Sequence, residues 1–386
     1  MRYTKPIQII QALRSPIGRF GGGVKSLTAA ELGALAAGDV VPESLRAQID
    51  QVIVGQVLQA ASGMNVARQI ALGISIPHST PAFVANMVCG SGMKAVALAA
   101  DAIASGESGL VLAGGVEVMS RAPHYMTELR WGRKMGDGAL QDAIFVDGLT
   151  DPTLKIGMGE TAERIAVSFN ITREAQDEFA ARSQRLAMEN RESFQREIIS
   201  ITTKDGTVTD DEHPRADTTM EKLSQLKPAF RKDGSVTAGN SSGINDGAAM
   251  VLLADEEAVR QHSLQSRARI VGSTTVGCDP AMMGLGPVHA IRKLVGEIGW
   301  NLDEIDAIEI NEAFAVQALA CISELNLRPD QVNQRGGAIA LGHPIGASGA
   351  RLLVTLLHIM EDKNLKRGIA SLCIGGGMGI AMAVER

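Results

Sequence analysis

Apolar runs that alternate with Ala-rich stretches constrain the fold of this chain more than any other feature. The segments IDQVIVGQVL (49–58) and SGLVLAGGVEVM (108–119) are uninterrupted and rich in β-branched residues, as strands buried on both faces are. Between them, GMKAVALAADAIASG (92–106) contains helix formers throughout and a glycine at its end. The alternation predicts an α/β architecture with largely parallel strand connections.

The same pattern occurs twice. CGSGMKAVALAADAIASGESGLVLAGGVE in the first half is similar to GASGARLLVTLLHIMEDKNLKRGIASLCIGGGMG in the second. Each begins with Ser-Gly at a helix start, continues through an apolar helix and enters a strand that ends in consecutive glycines. We therefore predict two similar α/β halves whose loops meet at one face, residues 1–119 completed by about 244–263, and residues 264–386.

The intervening segment, 120–243, breaks this pattern because it is richer in charge and in Pro-containing turns. It includes ITREAQDEFAARSQRLAMENRESF (171–194), which is typical of an amphipathic helix starting near Thr172. We expect this segment to be an inserted loop domain that covers the functional face, where such insertions commonly determine specificity.

Composition excludes several classes of protein. The net charge of −6 argues against a nucleic-acid-binding protein. The four cysteines are far apart and form no Cys-x-x-Cys pair, so neither a disulfide framework nor a metal site is expected. The N-terminus is typical of a strand and not of a secretion signal, and the C-terminus matches no peroxisomal or retention signal. With no apolar run reaching the roughly 18 residues of a membrane span, we expect a cytoplasmic protein that does not enter a membrane.

The segment NMVCGSGMK (86–94) places Cys89 between an apolar strand and an Ala-rich helix. A helix N-terminus favours a thiolate over a thiol, and the flanking Gly90 and Gly92 leave room for a substrate to reach the sulfur. The alternative is a buried cysteine that fills a small gap, but core packing does not require so many small residues. Cys89 is therefore a candidate nucleophile.

Three further segments carry candidate catalytic residues. His343 lies in the Gly-rich turn GGAIALGHPIGASGAR (336–351), where an imidazole could activate a thiol, although a lone histidine is more often a satisfied polar residue. Cys373 ends a strand in SLCIGGGMG (371–379), whose glycine N–H groups could bind an oxyanion or simply form a close-packed turn. Asn311 begins NEAFAVQA (311–318), where it could equally be a helix N-cap.

Taken together, the CGSG, NEAF, GHPIGASGAR and CIGGGMG segments resemble the thiolase family in content, order and separation, over essentially the whole chain. The resemblance implies the five-layered αβαβα thiolase fold. It implies that Cys89 takes the acyl group from a thioester and that Cys373 is the second thiol, acting as acid and base. It further implies that His343 lowers the pKa of Cys89 and, with a water held by Asn311, stabilises a thioester oxygen.

The same resemblance assigns supporting roles. The backbone N–H groups of Cys89 and Gly375 would form a second oxyanion hole, and Glu312 would position polar groups or water. Coenzyme A (CoA) would be substrate and product, with no tightly bound cofactor and no metal. Residues matching the CoA-binding positions of the family are Arg215, Ser242, Met158 and Met283. Arg215 could instead be a solvated loop charge.

Two departures from the family pattern bear on the site: Gly157 could alter the pocket wall, whereas Arg335 could change packing near the active-site turn or simply point outward. Short-chain relatives usually have a histidine where this chain has Gly157, and many members have an asparagine where it has Arg335. The segment 119–152 nevertheless resembles the acetoacetyl-CoA group, which favours acetoacetyl-CoA as substrate over the longer 3-ketoacyl-CoA substrates of fatty-acid degradation. A ketoacyl synthase, a cysteine hydrolase and a catalytically silent CoA-binding scaffold are rival interpretations. The presence of Cys373 beside the other three residues argues against each, and a homodimer or homotetramer is expected.

Overall fold

A mixed sheet of ten strands runs through the molecule, and the long strand β1 belongs to both of its halves. The computed structural model describes residues 1–386. The strands are β1 (Arg2–Arg14), β2 (Gly18–Arg19), β3 (Gln51–Gly55), β4 (Ala82–Ala85), β5 (Leu110–Val118), β6 (His124–Tyr125), β7 (Gln141–Asp142), β8 (Thr150–Asp151), β9 (Ile156–Gly157), β10 (Ile201–Thr203), β11 (Gly206–Val208), β12 (Asn245–Ala254), β13 (Ala268–Gly277), β14 (Ala307–Ile310), β15 (Arg367–Ile374) and β16 (Met378–Glu385). The order across the large sheet is β14-β15-β16-β13-β1-β12-β5-β3-β4, with β2 paired to β12.

The prediction of largely parallel connections was wrong. Only β3–β4, β3–β5 and β14–β15 are parallel, whereas β1, β12, β13 and β16 pair with their neighbours in antiparallel fashion. An uninterrupted apolar strand indicates that both of its faces are buried. Here helices cover both faces of parallel and antiparallel strands alike, so the apolar pattern does not indicate strand direction. Because β15 and β16 are joined by a three-glycine turn, the second half necessarily contains an antiparallel hairpin.

Three layers of helices enclose the two halves of the sheet. The helices are α1 (Ala29–Val40), α2 (Val66–Gly73), α3 (Ser91–Ser105), α4 (Met158–Ser168), α5 (Arg173–Glu189), α6 (Arg191–Phe194), α7 (Met220–Ser224), α8 (Glu256–Gln261), α9 (Gly286–Ile298), α10 (Ala315–Glu324), α11 (Ala338–Leu341) and α12 (Ile345–Asp362). α3 and α12 share one core with strands of both halves, α1 and α2 cover one outer face, and α9 and α10 cover the other. This order confirms the five-layered αβαβα fold.

Small residues bring α3 and α12 into close contact at the centre. A Cβ on Gly349 would lie 2.5 Å from the backbone nitrogen of Met93, and one on Gly92 would lie 2.9 Å from that of Ala350. α3 ends at Ser105, and Gly106 caps it with a φ of 82°, which is readily available to glycine. The window Val88–Ser105 is, at 18 residues, long and apolar enough to span a membrane, contrary to the sequence-based expectation. It belongs to the central core, with 61% of its residues buried, as in the core helix of a globular protein.

The segment between β5 and β12 folds over the C-terminal half. α5 begins after Thr172, whose side chain accepts a hydrogen bond from the backbone nitrogen of Ala175. It ends at Glu189, earlier than predicted, and the short α6 follows. α4 packs against α10, and α5 packs against α10 and α11. The insertion therefore reaches the turn that precedes His343.

Candidate active site

The turn that carries Cys89 is strained and held from several sides. Val88 has φ of 46°, a left-handed conformation that is costly for a β-branched residue. The Ser91 hydroxyl donates to the Val88 carbonyl (2.7 Å) and accepts from the Met87 nitrogen (2.8 Å), while the Asn86 side chain accepts from the Val88 nitrogen (3.0 Å). These bonds stabilise a sharp turn that presents Cys89 at the start of α3.

The Cys89 thiol receives backbone N–H groups from two directions. Burial raises its pKa to about 11, and hydrogen bonds from the backbone of Gly375 and of Cys89 itself act against that increase. Gly375 is the first glycine of the turn between β15 and β16. The same two N–H groups that the resemblance assigns to an oxyanion hole are therefore brought to the sulfur from opposite halves of the molecule.

His343 is buried and held in one tautomer. Its Nδ1 lies 2.6 Å from the Ser348 hydroxyl, which donates its own hydrogen to the Pro344 carbonyl at 2.9 Å. This network assigns the proton to Nδ1 and leaves Nε2 with a free lone pair near the Asn311 amide nitrogen (3.4 Å). Burial, followed by the charge of Arg351, lowers the pKa of His343 to about 3, so the resting ring is neutral.

Asn311 and Glu312 follow β14 and are both fully buried. α10 begins only at Ala315, with Phe314 as its N-cap, so Asn311 does not cap that helix. Glu312 accepts hydrogen bonds from Ser183 of α5 (2.6 Å), from Asn333 (2.8 Å) and from the Ile339 nitrogen of α11 (3.2 Å). It thereby ties the insertion to the segment that leads to His343, and burial raises its pKa.

The second thiol, Cys373, is fully buried near the end of β15. Burial raises its pKa well above the ordinary value, and the proximity of Cys89 raises it further. The glycines that follow turn sharply, since Gly376 and Gly377 have φ of 84° and 85°. Cys373 is thus a protonated thiol in an apolar setting beside the Cys89 thiol.

The predicted CoA-binding residues occupy two places. Met283 packs in the same apolar cluster as Cys373, and Met158 lies against Gly375, where an added Cβ would be 3.3 Å from its sulfur. Ser242 donates its backbone N–H to the Ala313 carbonyl (3.0 Å), directly before β12. Arg215 is exposed on the insertion.

Arg215 lines a cavity of about 150 Å³ together with His213, Lys222, Leu223 and Gly239. Its backbone nitrogen donates to the Gln184 side chain at 2.8 Å.

The two departures from the family pattern have different consequences. Gly157 precedes α4, and a Cβ there would meet nothing nearer than the Leu149 carbonyl at 3.9 Å. The wall beside Met158 is therefore open where a histidine would stand. Arg335 points inward, is only 2% exposed and pairs with Asp362 at the end of α12.

Three residues that sequence reasoning missed support the site. Ser348 orients His343, and the Asn245 side chain accepts a hydrogen bond from the His343 nitrogen (3.0 Å). Glu117 is buried, and its carboxylate accepts from the nitrogens of Val57 and Gly346, both at 3.0 Å. Ser348 could have been suspected from its place one turn into the helix that follows the histidine. Asn245 and Glu117 carry no local signal, since their partners are distant in sequence.

Comparisons with known proteins agree with this geometry. The model of the thiolase N-terminal domain matches residues 7–257, and that of the thiolase C-terminal domain matches residues 264–386. The chain belongs to the thiolase family. An acetyl-CoA acetyltransferase of Allochromatium vinosum is 50% identical to it over 98% of this chain and 99% of its own length.

Two solved structures extend the likeness to three dimensions. The acetyl-CoA acetyltransferase of Bacillus anthracis has a TM-score of 0.96 at 44% identity and covers all of both chains. Human mitochondrial 3-ketoacyl-CoA thiolase in complex with CoA has a TM-score of 0.97 at 41% identity, covering 100% of this chain and 99% of its own. The chain is accordingly an acyltransferase with the thiolase fold, and the synthase, hydrolase and scaffold alternatives are not favoured.

Proposed function

We propose that this thiolase catalyses the reversible conversion of two acetyl-CoA molecules into acetoacetyl-CoA and CoA through an acyl-Cys89 intermediate. The observation that carries the proposal is the convergence of Cys373 and the Gly375 backbone on Cys89, together with a buried, neutral His343 held beside Asn311. A carbon–carbon bond between thioesters requires both an acyl acceptor and a second acid–base group, and two thiols satisfy both requirements.

In the first half-reaction, the Cys89 sulfur attacks the carbonyl carbon of one acetyl-CoA. The thiol proton moves to Nε2 of His343, which is unprotonated because Nδ1 donates to Ser348. The departing CoA sulfur takes the proton of Cys373. The N–H groups of Cys89 and Gly375 stabilise the oxyanion that forms at the acyl carbon.

In the second half-reaction, the Cys373 thiolate removes an α-proton from a second acetyl-CoA. The resulting enolate carbon attacks the acyl carbon on Cys89, forming the new carbon–carbon bond and breaking the carbon–sulfur bond. The proton held by His343 returns to the Cys89 sulfur, so that no net proton is lost. His343, now a donor at Nε2, and a water held by Asn311 stabilise the enolate oxygen.

CoA enters as a substrate and leaves as a product, with no tightly bound cofactor. Arg215 would bind a phosphate near the cavity on the insertion, and Ser242 would contact the pantetheine amide. Met158 and Met283 would line the apolar end beside the thiols, where Met283 already packs near Cys373. Glu312 would hold this end in place through Ser183 and Asn333.

The test is thiolysis of acetoacetyl-CoA and of a medium-chain 3-ketoacyl-CoA by purified protein with free CoA, with Cys89→Ser as control. Activity confined to acetoacetyl-CoA supports the proposal. Comparable activity on the longer substrate overturns the short-chain preference and assigns a role to the open wall at Gly157. No activity on either substrate, with the Cys89→Ser control indistinguishable, overturns the mechanism.

Three further expectations accompany this function. The proposed bounds are residues 1–119, completed by about 244–263, for the N-terminal half, residues 264–386 for the C-terminal half, and residues 120–243 for the insertion. A homodimer or homotetramer is supported by apolar side chains on the surface, Trp131 and Met135 being 91% and 89% exposed. A cytoplasmic location is supported by four free cysteines. Light scattering coupled to size exclusion and cell fractionation test the last two.

A further inference from the structure

One face of the buried helix α12 is polar. Ser348, Arg351, Thr355 and His358 follow one another at spacings of three and four residues, and each is at most 3% exposed. This spacing places them on one side of the helix. Ser348 lies at the active-site end, where it binds the ring of His343. At the other end, His358 contacts Arg267, which lies nearer the surface.

Most of the buried side-chain polar atoms without a protein partner lie beside this face. They are Oε1 and Oε2 of Glu309, Nε, Nη1 and Nη2 of Arg351, Nε and Nη1 of Arg335, Oε2 of Glu197 and Nδ1 of His358. Buried polar atoms are almost always hydrogen-bonded in folded proteins, to ordered water where protein groups do not reach. Their concentration therefore indicates a hydration site.

The geometry of Glu309 and Arg351 fits such a site. The two side chains are 1% and 2% exposed, and 3.6 Å separates Nη1 of Arg351 from Oε2 of Glu309. That distance is too long for a direct hydrogen bond, and both groups keep buried polar atoms that an ordered water could satisfy. The opposite charges remain close enough to compensate each other.

This ion pair joins the two elements that hold the catalytic side chains. Glu309 stands two residues before Asn311 in extended backbone, so both side chains lie on the same face. Arg351 stands one turn beyond Ser348, the residue that orients His343. The charge of Arg351 also acts on His343, where it adds to the effect of burial in lowering the pKa of the ring.

The charge of Glu309 is sensitive to its surroundings. Burial raises its pKa to about 8, Glu312 and Glu197 raise it, and Arg351 and Arg335 lower it. These groups face Glu309 from α12 and from the segments around α6, β14 and α11.

We infer that Glu309 and Arg351 form a water-bridged pair that positions His343 and sets its affinity for the Cys89 proton. This role rests on the function proposed above. The pair fixes α12 against β14, and above about pH 8, where Glu309 is ionised, its carboxylate offsets a guanidinium charge that would otherwise oppose protonation of His343. Neither residue touches the reacting atoms, so both are positioning residues.

The test follows the rate at which iodoacetamide alkylates Cys89 as a function of pH, read by peptide mass spectrometry. Half-exposed Cys278 in the same digest is the internal control. In Glu309→Gln the uncompensated Arg351 cation favours loss of the proton shared by Cys89 and His343, so the midpoint moves downward by about one pH unit. In Arg351→Met this cation is gone and the Glu309 carboxylate remains, so the midpoint moves upward.

A merely structural pair would lower stability without moving the two midpoints in opposite directions. Midpoints that stay at the wild-type value in both folded variants, or that move the same way, overturn the inference. Conservative Arg351→Lys retains the charge and should retain the midpoint, and a shift as large as that of Arg351→Met would contradict the charge argument.

A high-resolution crystal structure of the wild-type protein provides a measurement that does not depend on variants folding. Ordered water that contacts both Glu309 and Arg351 supports the inference, whereas a direct hydrogen bond without water overturns it. Thiolysis by the wild-type protein, measured alongside, separates the two proposals. An inactive wild type refutes the proposed function, while an active wild type with unmoved variant midpoints refutes only the positioning pair.

Discussion

The ring of His343 receives its orientation from one hydroxyl. Replacing that residue, Ser348→Ala, removes the acceptor for Nδ1–H, so the tautomer with a free Nε2 is no longer favoured. Loss of one such hydrogen bond, worth about 1–3 kcal/mol, should lower kcat by roughly 10- to 100-fold with little change in KM for CoA. Steady-state thiolysis measures both. Ser105→Ala, the same change at the exposed end of α3, should leave kcat unaltered.

The protonation of His343 also links stability to pH. The pKa of His343 is lowered to about 3 in the folded protein, whereas in the unfolded chain it has its ordinary value near 6.5. Below about pH 6.5 the unfolded chain therefore binds this proton more readily than the folded protein does. The neutral ring therefore contributes stability above about pH 6.5 that is lost as the pH falls toward 3. Between pH 7.5 and 5 this loss amounts to about 2 kcal/mol.

His343→Asn should remove that dependence. The variant should lose about 2 kcal/mol less unfolding free energy than the wild type over the same pH interval, as measured by urea denaturation. Parallel losses in the two proteins would show that the ring is not neutral in the folded state. The wild type and the variant must be compared because other buried groups also titrate in this interval. Burial raises the pKa of Glu117 to about 7, so that protonation of Glu117 increases the unfolding free energy as the pH falls, opposite to the effect of His343.

The residues that the sequence revealed are those whose neighbours in the chain are unusual. Cys89, His343 and Cys373 each stand among glycines at the end of a strand or the start of a helix, and such surroundings are visible without a structure. Asn245 and Glu309 stand in ordinary apolar strands. Their roles depend on contacts with residues far away in the chain, His343 and Arg351, and no local pattern indicates these contacts.

At the scale of elements, the contact between α3 and α12 depends on the absence of side chains. Gly349→Ala places a Cβ 2.5 Å from the backbone of Met93, and backbone cannot move aside cheaply. We expect a loss of about 1–3 kcal/mol in unfolding free energy and reduced kcat, since both helices carry the site. Urea denaturation and thiolysis are the measurements.

Gly296→Ala is the matched control, because it lies within α9 with open space around the new Cβ. It should stabilise the protein by about 0.5–1 kcal/mol through the helix preference of alanine. A loss of stability equal to that of Gly349→Ala would indicate that close packing is not the cause.

Which elements exist could be predicted from the sequence, but how the strands pair could not. The strand at 110–118 and the helix at 91–105 lie within one or two residues of their predicted bounds. Strand direction was wrong because β12 returns only after the long insertion, and local periodicity carries no information about its partner. The polar face of α12 also went unnoticed, since its four polar residues lie among many apolar ones.

At the scale of the whole molecule, Arg14 links three regions. It ends β1, pairs with Glu197 (2.6 Å) and Asp211 (2.7 Å) of the insertion, and packs over the Phe194 ring at 5.3 Å. Glu197 in turn accepts a hydrogen bond from Thr355 of α12 at 2.9 Å. This buried network therefore holds the insertion against both the sheet and the central helix.

Removing the cation should test how far the insertion depends on this network. Arg14→Met leaves two buried carboxylates without a partner, which should cost about 3–5 kcal/mol of unfolding free energy. Arg185→Met breaks an exposed pair with Glu189 and should cost less than about 1 kcal/mol. Because the insertion carries Arg215, the Arg14 variant should also bind CoA more weakly, measured by calorimetry. Equal effects of the two substitutions would mean that packing, and not the buried charge, holds the insertion in place.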